Sequence, residues 1–243
     1  MLTRLAFVAA LSVAALAAAS GTSSGGNVAH QTRVFAPNHK ISHSTSTNWS
    51  GYSAINGHYT GVSANWTQPT ANCTSQTTYS SFWVGLDGDG SSTVEQTGTS
   101  ADCSGGSPSY YAWYEMYPKF PVNLSIAVRP GDSMTGTVTT NGSGRFTLHI
   151  HDNTTGGDFV TTQTLKRARL ASAEAIAEAP SSSGGVLPLT NFGTASFSAV
   201  TVNGVAIGSF NPDRIDMVSG GVVKAQTSAL SGGTSFSVTW KHS

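Results

Sequence analysis

Short runs in which apolar and polar residues alternate, broken by Gly, Asn, Asp and Pro, extend from about residue 46 to the end of the chain. In the run FTLHIHD, Phe146, Leu148 and Ile150 fall on one side, and His149 and His151 fall on the other. This alternation is typical of a half-buried β-strand and does not fit a helix, whose side chains repeat about every 3.6 residues. Many short strands without helical periodicity predict an all-β fold, an antiparallel β-sandwich.

Two segments precede the predicted domain. Residues 1–19 begin with a positive charge at Arg4, continue with an apolar stretch and end in three alanines, which is the pattern of a secretory signal peptide. Residues 20–45 are rich in Gly and Ser and contain basic residues but no acidic one, which indicates a basic, flexible leader or propeptide. We therefore expect a secreted, extracellular zymogen with one β-sandwich domain at residues 46–243.

The distribution of charge limits the partners of the chain. The formal net charge is zero, but residues 1–45 carry three Lys and Arg and no acid. The rest carries nine Lys and Arg against twelve Asp and Glu, a net charge of −3. A mildly acidic domain argues against a nucleic-acid partner. Beyond the predicted signal peptide no run of about 18 apolar residues is present to span a membrane, and we expect a monomer without a membrane partner.

Cys73 and Cys103 are the only cysteines of the chain. In an exported protein, two cysteines usually form one disulfide. Their spacing excludes a Cys-x-x-Cys metal or redox pair. We therefore expect a single disulfide, which encloses the segments FWVGLDGDG and VEQTG.

Glutamate is scarce, and two of the four glutamates, Glu174 and Glu178, lie in the short stretch SAEAIAEAP. Alanine and glutamate favour a helix by propensity, but a helix here would interrupt a strand-rich chain. In a strand, Glu174, Ile176 and Glu178 point to one side and the intervening alanines to the other. The alanines would let a second layer approach closely, and both carboxylates would project into a cleft.

The stretch SYYAWYEMYP also alternates. It places Tyr111, Trp113, Glu115 and Tyr117 on one side of a strand. One interpretation is an aromatic groove with one carboxylate for an extended polymer, either peptide or sugar. The other is a strand that is packed on both sides, and the residues leave both interpretations open.

Signals for metal or serine chemistry are weak. Asp87-x-Asp89 lacks the glycine and the final glutamate of a calcium loop and is better explained as a turn. His149-x-His151-Asp152 has metal-ligating side chains, but outward-facing polar residues of a strand account for it. The one Gly-x-Ser-x-Gly match lies in the predicted leader. We therefore expect no metal and no cofactor, and chemistry that is carried by carboxylates.

Five motifs together resemble a known family, the glutamic peptidases, also called eqolisins, in which they occur in the same order. The motifs are TNWSGY (47–52), FWVGLDGDG (82–90), VEQTG (94–98), YAWYEMYP (111–118) and SAEAIAEAP (172–180). The resemblance spans about residues 46–243. It implies a jelly-roll or concanavalin-like sandwich of two large antiparallel sheets, and an acid-acting endopeptidase that hydrolyses polypeptides with a glutamine–glutamate dyad.

The resemblance also implies roles for individual residues. The catalytic glutamine falls on Gln96 and the catalytic glutamate on Glu178, with Glu174 as a neighbour that is structural or tunes the site. In such a dyad Glu178 activates water as a general base and then returns the proton, while Gln96 stabilises the oxyanion. The positions that match the substrate cleft are Trp83, Asp87, Trp113, Glu115 and Tyr117. The sequence departs from the pattern at Ser100, where fungal members have an aspartate, although Asp102 is close.

Two other functions fit the residues without the resemblance. A glycoside hydrolase on a jelly-roll sandwich would use two of Glu115, Glu174 and Glu178 as acid and nucleophile, with Trp113 and Tyr111 as sugar platforms. That alternative leaves the glutamine of VEQTG without a role. An exported sugar-binding sandwich, which is not an enzyme, would need no essential carboxylate.

Overall fold

The computed structural model describes residues 45–243, which contain eighteen β-strands and one 3₁₀ helix. The predicted signal peptide and the predicted leader, apart from Thr45, lie outside the described residues. The strands are β1 Thr45–Ser46, β2 Trp49–Ala54, β3 Gly61–Thr67, β4 Ser81–Leu86, β5 Val94–Ser104, β6 Ser107–Tyr117, β7 Val122–Asn123, β8 Ser133–Thr140, β9 Arg145–Asp152, β10 Asp158–Thr164, β11 Ala173–Glu178, β12 Ser181–Ser182, β13 Gly185–Val186, β14 Thr194–Val202, β15 Val205–Ala206, β16 Asp213–Ser219, β17 Val222–Thr227 and β18 Phe236–Trp240. The 3₁₀ helix is Ile207–Phe210. Within this part of the chain, no helix has the length and apolar character that crossing a bilayer requires.

Two antiparallel sheets face each other and share strand β16. Sheet I has the strand order β16-β2-β11-β4-β5-β6-β7, and sheet II has the order β16-β17-β18-β14-β3-β8-β9-β10. Residues 213–215 of β16 pair with β2, and residues 217–219 pair with β17. The predicted antiparallel sandwich is confirmed, and the structure adds that one strand joins its two sheets along one edge.

Apolar side chains fill the space between the sheets. In strand β9 of sheet II, Phe146, Leu148 and Ile150 are buried in this core, as the alternation predicts. Strands β2, β4 and β11 of sheet I are buried along their whole length. The face of sheet I that points away from the core carries a second apolar cluster, which comprises Trp49, Trp83, Val94, Trp113, Ile176 and Ile215.

Strand β11 lies in the middle of sheet I, antiparallel to β2 on one side and to β4 on the other. Its alanines, Ala173, Ala175 and Ala177, belong to the core between the sheets, whereas Ile176 belongs to the second cluster. Strands β3 and β14 of sheet II contact β11, and the small alanine side chains leave room for them. The interpretation of SAEAIAEAP as a strand is therefore confirmed, against its helix propensity.

Side chains hold the sandwich together at the edge opposite β16. Tyr114 of β6 stacks on Phe159 of β10, with ring centroids 5.9 Å apart and an interplanar angle of 16°. Gln163 Nε2 donates to the Tyr114 hydroxyl at 3.4 Å. One edge of the sandwich is thus joined by backbone hydrogen bonds of a shared strand, and the other by side-chain contacts between two strands.

The expected disulfide between Cys73 and Cys103 is present. Their Cα atoms are 5.4 Å apart, and the bridge closes a loop with a sequence separation of 30 residues. Beside it, Thr78 and Cys103 exchange two backbone hydrogen bonds of 3.1 and 2.9 Å. The bridge therefore fixes the end of β5 to the segment before β4.

Replacing both cysteines by serine should lower the free energy of unfolding by about 3–4 kcal/mol, because the bridge restricts the unfolded chain. Urea denaturation of the variant and of the unaltered protein measures the difference. A thiol titration of the denatured, unreduced protein should detect no free thiol. Two free thiols would contradict the bridge.

Candidate active site

Four neighbouring strands of sheet I carry the predicted site on one face. Residues that lie directly opposite in paired strands share a face, so the registers of β11, β4, β5 and β6 define three rows. The Glu178 row is Glu178, Ser81, Ser100 and Tyr111; the tryptophan row is Ile176, Trp83, Gly98 and Trp113; the Gln96 row is Glu174, Gly85, Gln96 and Glu115. All predicted site residues of these strands therefore project from the same face, with the tryptophan row between Glu178 and Gln96.

Gln96 is fully buried on β5 and is oriented by its neighbour on β6. Its Nε2 donates to Glu115 Oε2 at 2.7 Å. The residue opposite Gln96 on β4 is Gly85, where an added Cβ would lie 3.1 Å from the Gln96 Cβ and 2.9 Å from the Trp83 ring. Because glycine has no side chain, the Gln96 side chain and the Trp83 ring can occupy this space.

Glu178, the last residue of β11, is fully buried with its carboxyl between two N–H donors. Trp83 Nε1 donates to Oε2 at 2.8 Å, and Asn48 Nδ2 donates to Oε1 at 3.1 Å. Asn48 is held in turn by the Ser46 hydroxyl, which donates to Asn48 Oδ1 at 3.1 Å. Burial raises the pKa of Glu178 well above its usual range, and the N–H donors act in the opposite direction. The buried carboxyl is therefore protonated at acid pH and is oriented by fixed donors.

Aromatic side chains surround these groups. Trp49 packs edge-on against Trp83, with ring centroids 5.0 Å apart. Trp113 Nε1 donates to the Ser100 hydroxyl at 3.0 Å, and Tyr117 packs against the second apolar cluster. The structure therefore brings the predicted aromatic residues of β4 and β6 together on the face that carries Gln96 and Glu178.

Asp102 lies beside this face and is hydrogen-bonded on both oxygens. The Tyr111 hydroxyl donates to Oδ2 at 2.8 Å, and the Ser80 backbone N–H donates to Oδ1 at 3.3 Å. Ser100, two residues earlier on β5, accepts the indole N–H of Trp113 instead. Position 100 thus contributes a hydroxyl to this face, and the nearby carboxylate of Asp102 is bound to Tyr111.

Glu174 lies at the other end of β11, apart from the donors of Glu178. Its Oε1 is 3.5 Å from the Ser53 hydroxyl. Burial raises the pKa of Glu174 well above its usual range, and the carboxylates of Asp89, Asp87 and Glu95 add to this effect. Glu174 is thus a neutral, buried acid on the face of the site at acid pH.

Asp87 begins the turn after β4, which confirms the interpretation of this segment as a turn. It has a positive φ of 67°. Its Oδ2 accepts backbone N–H bonds from Arg169 and Leu170 at 2.8 and 2.9 Å, and its Oδ1 accepts one from Ala171 at 2.8 Å. Asp87, which the sequence placed in the substrate cleft, therefore anchors the segment that leads into β11.

Sequence reasoning did not single out Asn48 as part of the site. It is fully buried and, as a donor to Glu178, belongs to the site as closely as Trp83 does. The available signal was its position in TNWSGY, directly before Trp49. Its role could not be read from the chain because its partner lies 130 residues away.

Glu95 is buried on the opposite face of β5, next to Gln96 in sequence. Within the described residues, neither of its carboxyl oxygens accepts a hydrogen bond, and Thr93 lies nearby without completing one. Burial raises the pKa of Glu95 to about 9, and the charge of Asp87 adds to this effect. The native protein therefore holds a proton on Glu95 at neutral pH.

Comparison with known proteins gives consistent matches. A family model described as the peptidase A4 family matches residues 47–240. Aspergillopepsin-2 of Aspergillus niger is 30% identical over 224 residues, which cover 80% of this chain and 78% of that protein. The crystal structure of scytalido-glutamic peptidase with a transition-state-analogue inhibitor matches with a TM-score of 0.71 and 25% identity, over 80% of this chain and 98% of that one. Aspergilloglutamic peptidase from Aspergillus niger matches with a TM-score of 0.62 and 29% identity, over 68% and 99%.

Replacing Glu95 by glutamine should remove part of the pH dependence of stability. The folded-state pKa is about 9, against about 4.3 for an unfolded glutamate. The stabilisation that the folded protein gains from holding this proton is therefore fully present below about pH 4 and is lost as the pH rises toward 9. Glu95→Gln should leave stability nearly unchanged at pH 3.5 and raise it by about 4 kcal/mol at pH 7.5, as measured by urea denaturation. If the free energy of unfolding changed with pH in the same way in both proteins, Glu95 would not be the source of this pH dependence.

Proposed function

Because the chain belongs to the peptidase A4 family, we propose that Gln96 and Glu178 are the dyad with which this glutamic endopeptidase cleaves peptide bonds. Membership of a peptidase family decides against the glycoside hydrolase and the sugar-binding protein as alternatives. The observation that supports this dyad is the environment of Glu178. Its carboxyl is buried, is hydrogen-bonded to Trp83 and Asn48, and lies on the same face of sheet I as Gln96.

Hydrolysis of a peptide bond needs a base for water and an acid for the leaving amine. Glu178 serves as both, since it takes a proton from water as a general base and returns it to the amine. Each carboxylate oxygen has two lone pairs. Trp83 and Asn48 use one lone pair on each oxygen, and the Trp49 indole also acts on the carboxyl. At least one of the four lone pairs therefore remains to accept the proton of a water molecule.

The protonation state of Glu178 links burial to catalysis. In the buried state its pKa is raised well above the usual range. Water that enters beside the carboxyl reduces this burial, and the pKa then moves down toward its ordinary range while the N–H donors remain. The ionised form, which is the base, is thus produced when water occupies the site.

Gln96 stabilises the oxyanion of the tetrahedral intermediate. Its amide carries two N–H hydrogens, and the bond to Glu115 fixes which way the amide points. In the reaction we assign one hydrogen to Glu115 and the other to the developing oxyanion. One such donor contributes about 10²–10³ in rate.

The substrate is an extended polypeptide that lies along the tryptophan row. Trp83 and Trp113 belong to this row, which separates Gln96 from Glu178. A chain over Trp83 brings its scissile carbonyl between the amide and the carboxyl. Glu115 and Tyr117 of β6 then border the chain on one side, and Asp87 contributes indirectly by anchoring the segment before β11.

Glu178→Gln and Gln96→Ala should each reduce cleavage of denatured casein at acid pH, by at least about 10²-fold. Neither change should shift the thermal midpoint by more than a few degrees, because neither removes a packed apolar group. Glu174→Gln is the matched control, since it alters a buried glutamate of the same strand that has no donor in common with Glu178. Substantial activity of Glu178→Gln would remove Glu178 from the dyad and make Glu174 the next candidate.

The enzyme is proposed to act outside the cell and to remove its own leader. Ser46 and Asn48 position Glu178, so removal of the leader has to leave both residues in place. Incubation of the purified precursor at about pH 3–5, where ordinary glutamates titrate, should yield a chain that starts at or shortly before residue 45. N-terminal sequencing locates the cut. Equal processing by Glu178→Gln in the same incubation would show that another protease is responsible.

A further inference from the structure

Two histidines and an aspartate meet on the outer face of sheet II, away from the proposed dyad on sheet I. His149 and His151 are two residues apart on β9, and Asp158, the first residue of β10, lies directly opposite His151. Asp158 Oδ1 is 2.6 Å from His149 Nε2 and 2.9 Å from His151 Nδ1. The side chains are 38%, 35% and 50% exposed for His149, His151 and Asp158, so solvent and ions reach all three.

The carboxylate of this cluster differs from the one that the sequence suggested. Asp152, which follows His151 in the chain, is fully buried. Its oxygens accept hydrogen bonds from the Thr154 N–H, the Thr155 N–H and the Thr155 hydroxyl. Alternation along β9 turns Asp152 inward, and the strand pairing supplies Asp158 in its place.

We propose that His149, His151 and Asp158 form a binding site for a divalent transition-metal ion, Zn²⁺ in particular, which joins the edge strand β10 to β9. Two imidazole nitrogens and one carboxylate oxygen are a donor set that Zn²⁺ binds in proteins. One ligand atom from each residue lies within 4.8 Å of the other two. Zn²⁺ bonds of about 2.0–2.2 Å in tetrahedral geometry place donor atoms about 3.3 Å apart, so the present hydrogen-bonded atoms need to separate by less than about 1 Å.

The protein holds these ligands in place before any ion binds. The turn between β9 and β10 is fixed by the Asp152 carboxylate and by the Gly156 N–H, which donates to the Asp152 carbonyl oxygen at 2.8 Å. This turn delivers Asp158 to its position opposite His151. The other residues that pair with the two histidines are Thr135, Thr137 and Val160. These neighbours carry no charge and therefore offer no cation that would compete for Asp158.

The carboxylate is in the form that ligates a metal. An aspartate carboxyl is ordinarily ionised at neutral pH, and Asp158 is exposed. Three protein ligands leave a fourth position of tetrahedral Zn²⁺ for a water molecule. Because, among the described residues 45–243, β10 pairs with β9 alone, an ion bound across the two strands would stabilise the edge of the sheet.

Isothermal titration of the full chain with ZnCl₂ at neutral pH tests the site. The chain has seven histidines, and others among them could also bind Zn²⁺. The Zn²⁺ binding of the unaltered protein is therefore compared with that of the double variant His149→Ala/His151→Ala. The double variant should lose one binding event or bind at least about 10-fold more weakly. His58→Ala, which changes an exposed histidine elsewhere, should bind like the unaltered protein, and MgCl₂, which favours oxygen ligands, should give no matching event.

Asp158→Asn tests the third ligand with a smaller change, and it should also weaken Zn²⁺ binding. With Zn²⁺ at about 100 times its dissociation constant, the ratio of folded to unfolded protein should rise about 100-fold. A higher melting temperature of the unaltered protein, and not of the double variant, reports this change. Casein cleavage by the double variant in metal-free buffer should be unchanged. Equal Zn²⁺ affinity in the unaltered protein and the double variant would overturn the site, and unaltered binding by Asp158→Asn would overturn the three-ligand set.

Discussion

Close packing on both faces of strand β11 is the constraint on which the rest of the structure depends. On one face, Ala173, Ala175 and Ala177 allow sheet II to approach. On the other, Glu174, Ile176 and Glu178 project toward the tryptophan row and its neighbours. Because β2 and β4 pair with β11 along its whole length, a larger residue at an alanine position would push these strands away from sheet II and move the face that carries Glu178 and Gln96. The core and the site are therefore fixed by the same six residues.

Buried carboxyls are the chemical consequence of this packing. A carboxylate without partners is costly in an apolar surrounding, and the protein resolves this cost in two ways. Glu178 receives N–H donors from Trp83 and Asn48, which orient the carboxyl and partly offset the rise in its pKa. Glu95, whose oxygens accept no hydrogen bond within the described residues, keeps its proton instead. The first solution holds the carboxyl in one orientation, and the second keeps the carboxyl neutral at neutral pH.

Local patterns predicted much of the fold, and long-range pairing accounts for what they missed. Period-two alternation was sufficient for β9, which has one buried and one partly exposed face, whereas β11 was predicted as a strand, against its helix propensity, because the rest of the chain is rich in strands. The position of Asp87 could not be predicted, because its carboxylate binds the backbone more than eighty residues further on. Asn48 and Asp158 were missed for the same reason: their partners are neighbours across strands and not along the chain. The assignment of Gln96 came from family resemblance, because alternation alone gives a buried amide no role.

The shared strand β16 makes the two edges of the sandwich mechanically different. At β16 the sheets are continuous through backbone hydrogen bonds, whereas at the far edge Tyr114 and Phe159 hold β6 against β10 by stacking. We therefore expect thermal changes in the distance between the two sheets to be smallest beside β16 and to increase toward β6 and β10. Glu178 lies two strands from β16, and Gln96 lies four strands from it. The stiffness of the intervening strand β4 thus determines how constant the distance between the carboxyl and the amide remains while a substrate enters and a product leaves.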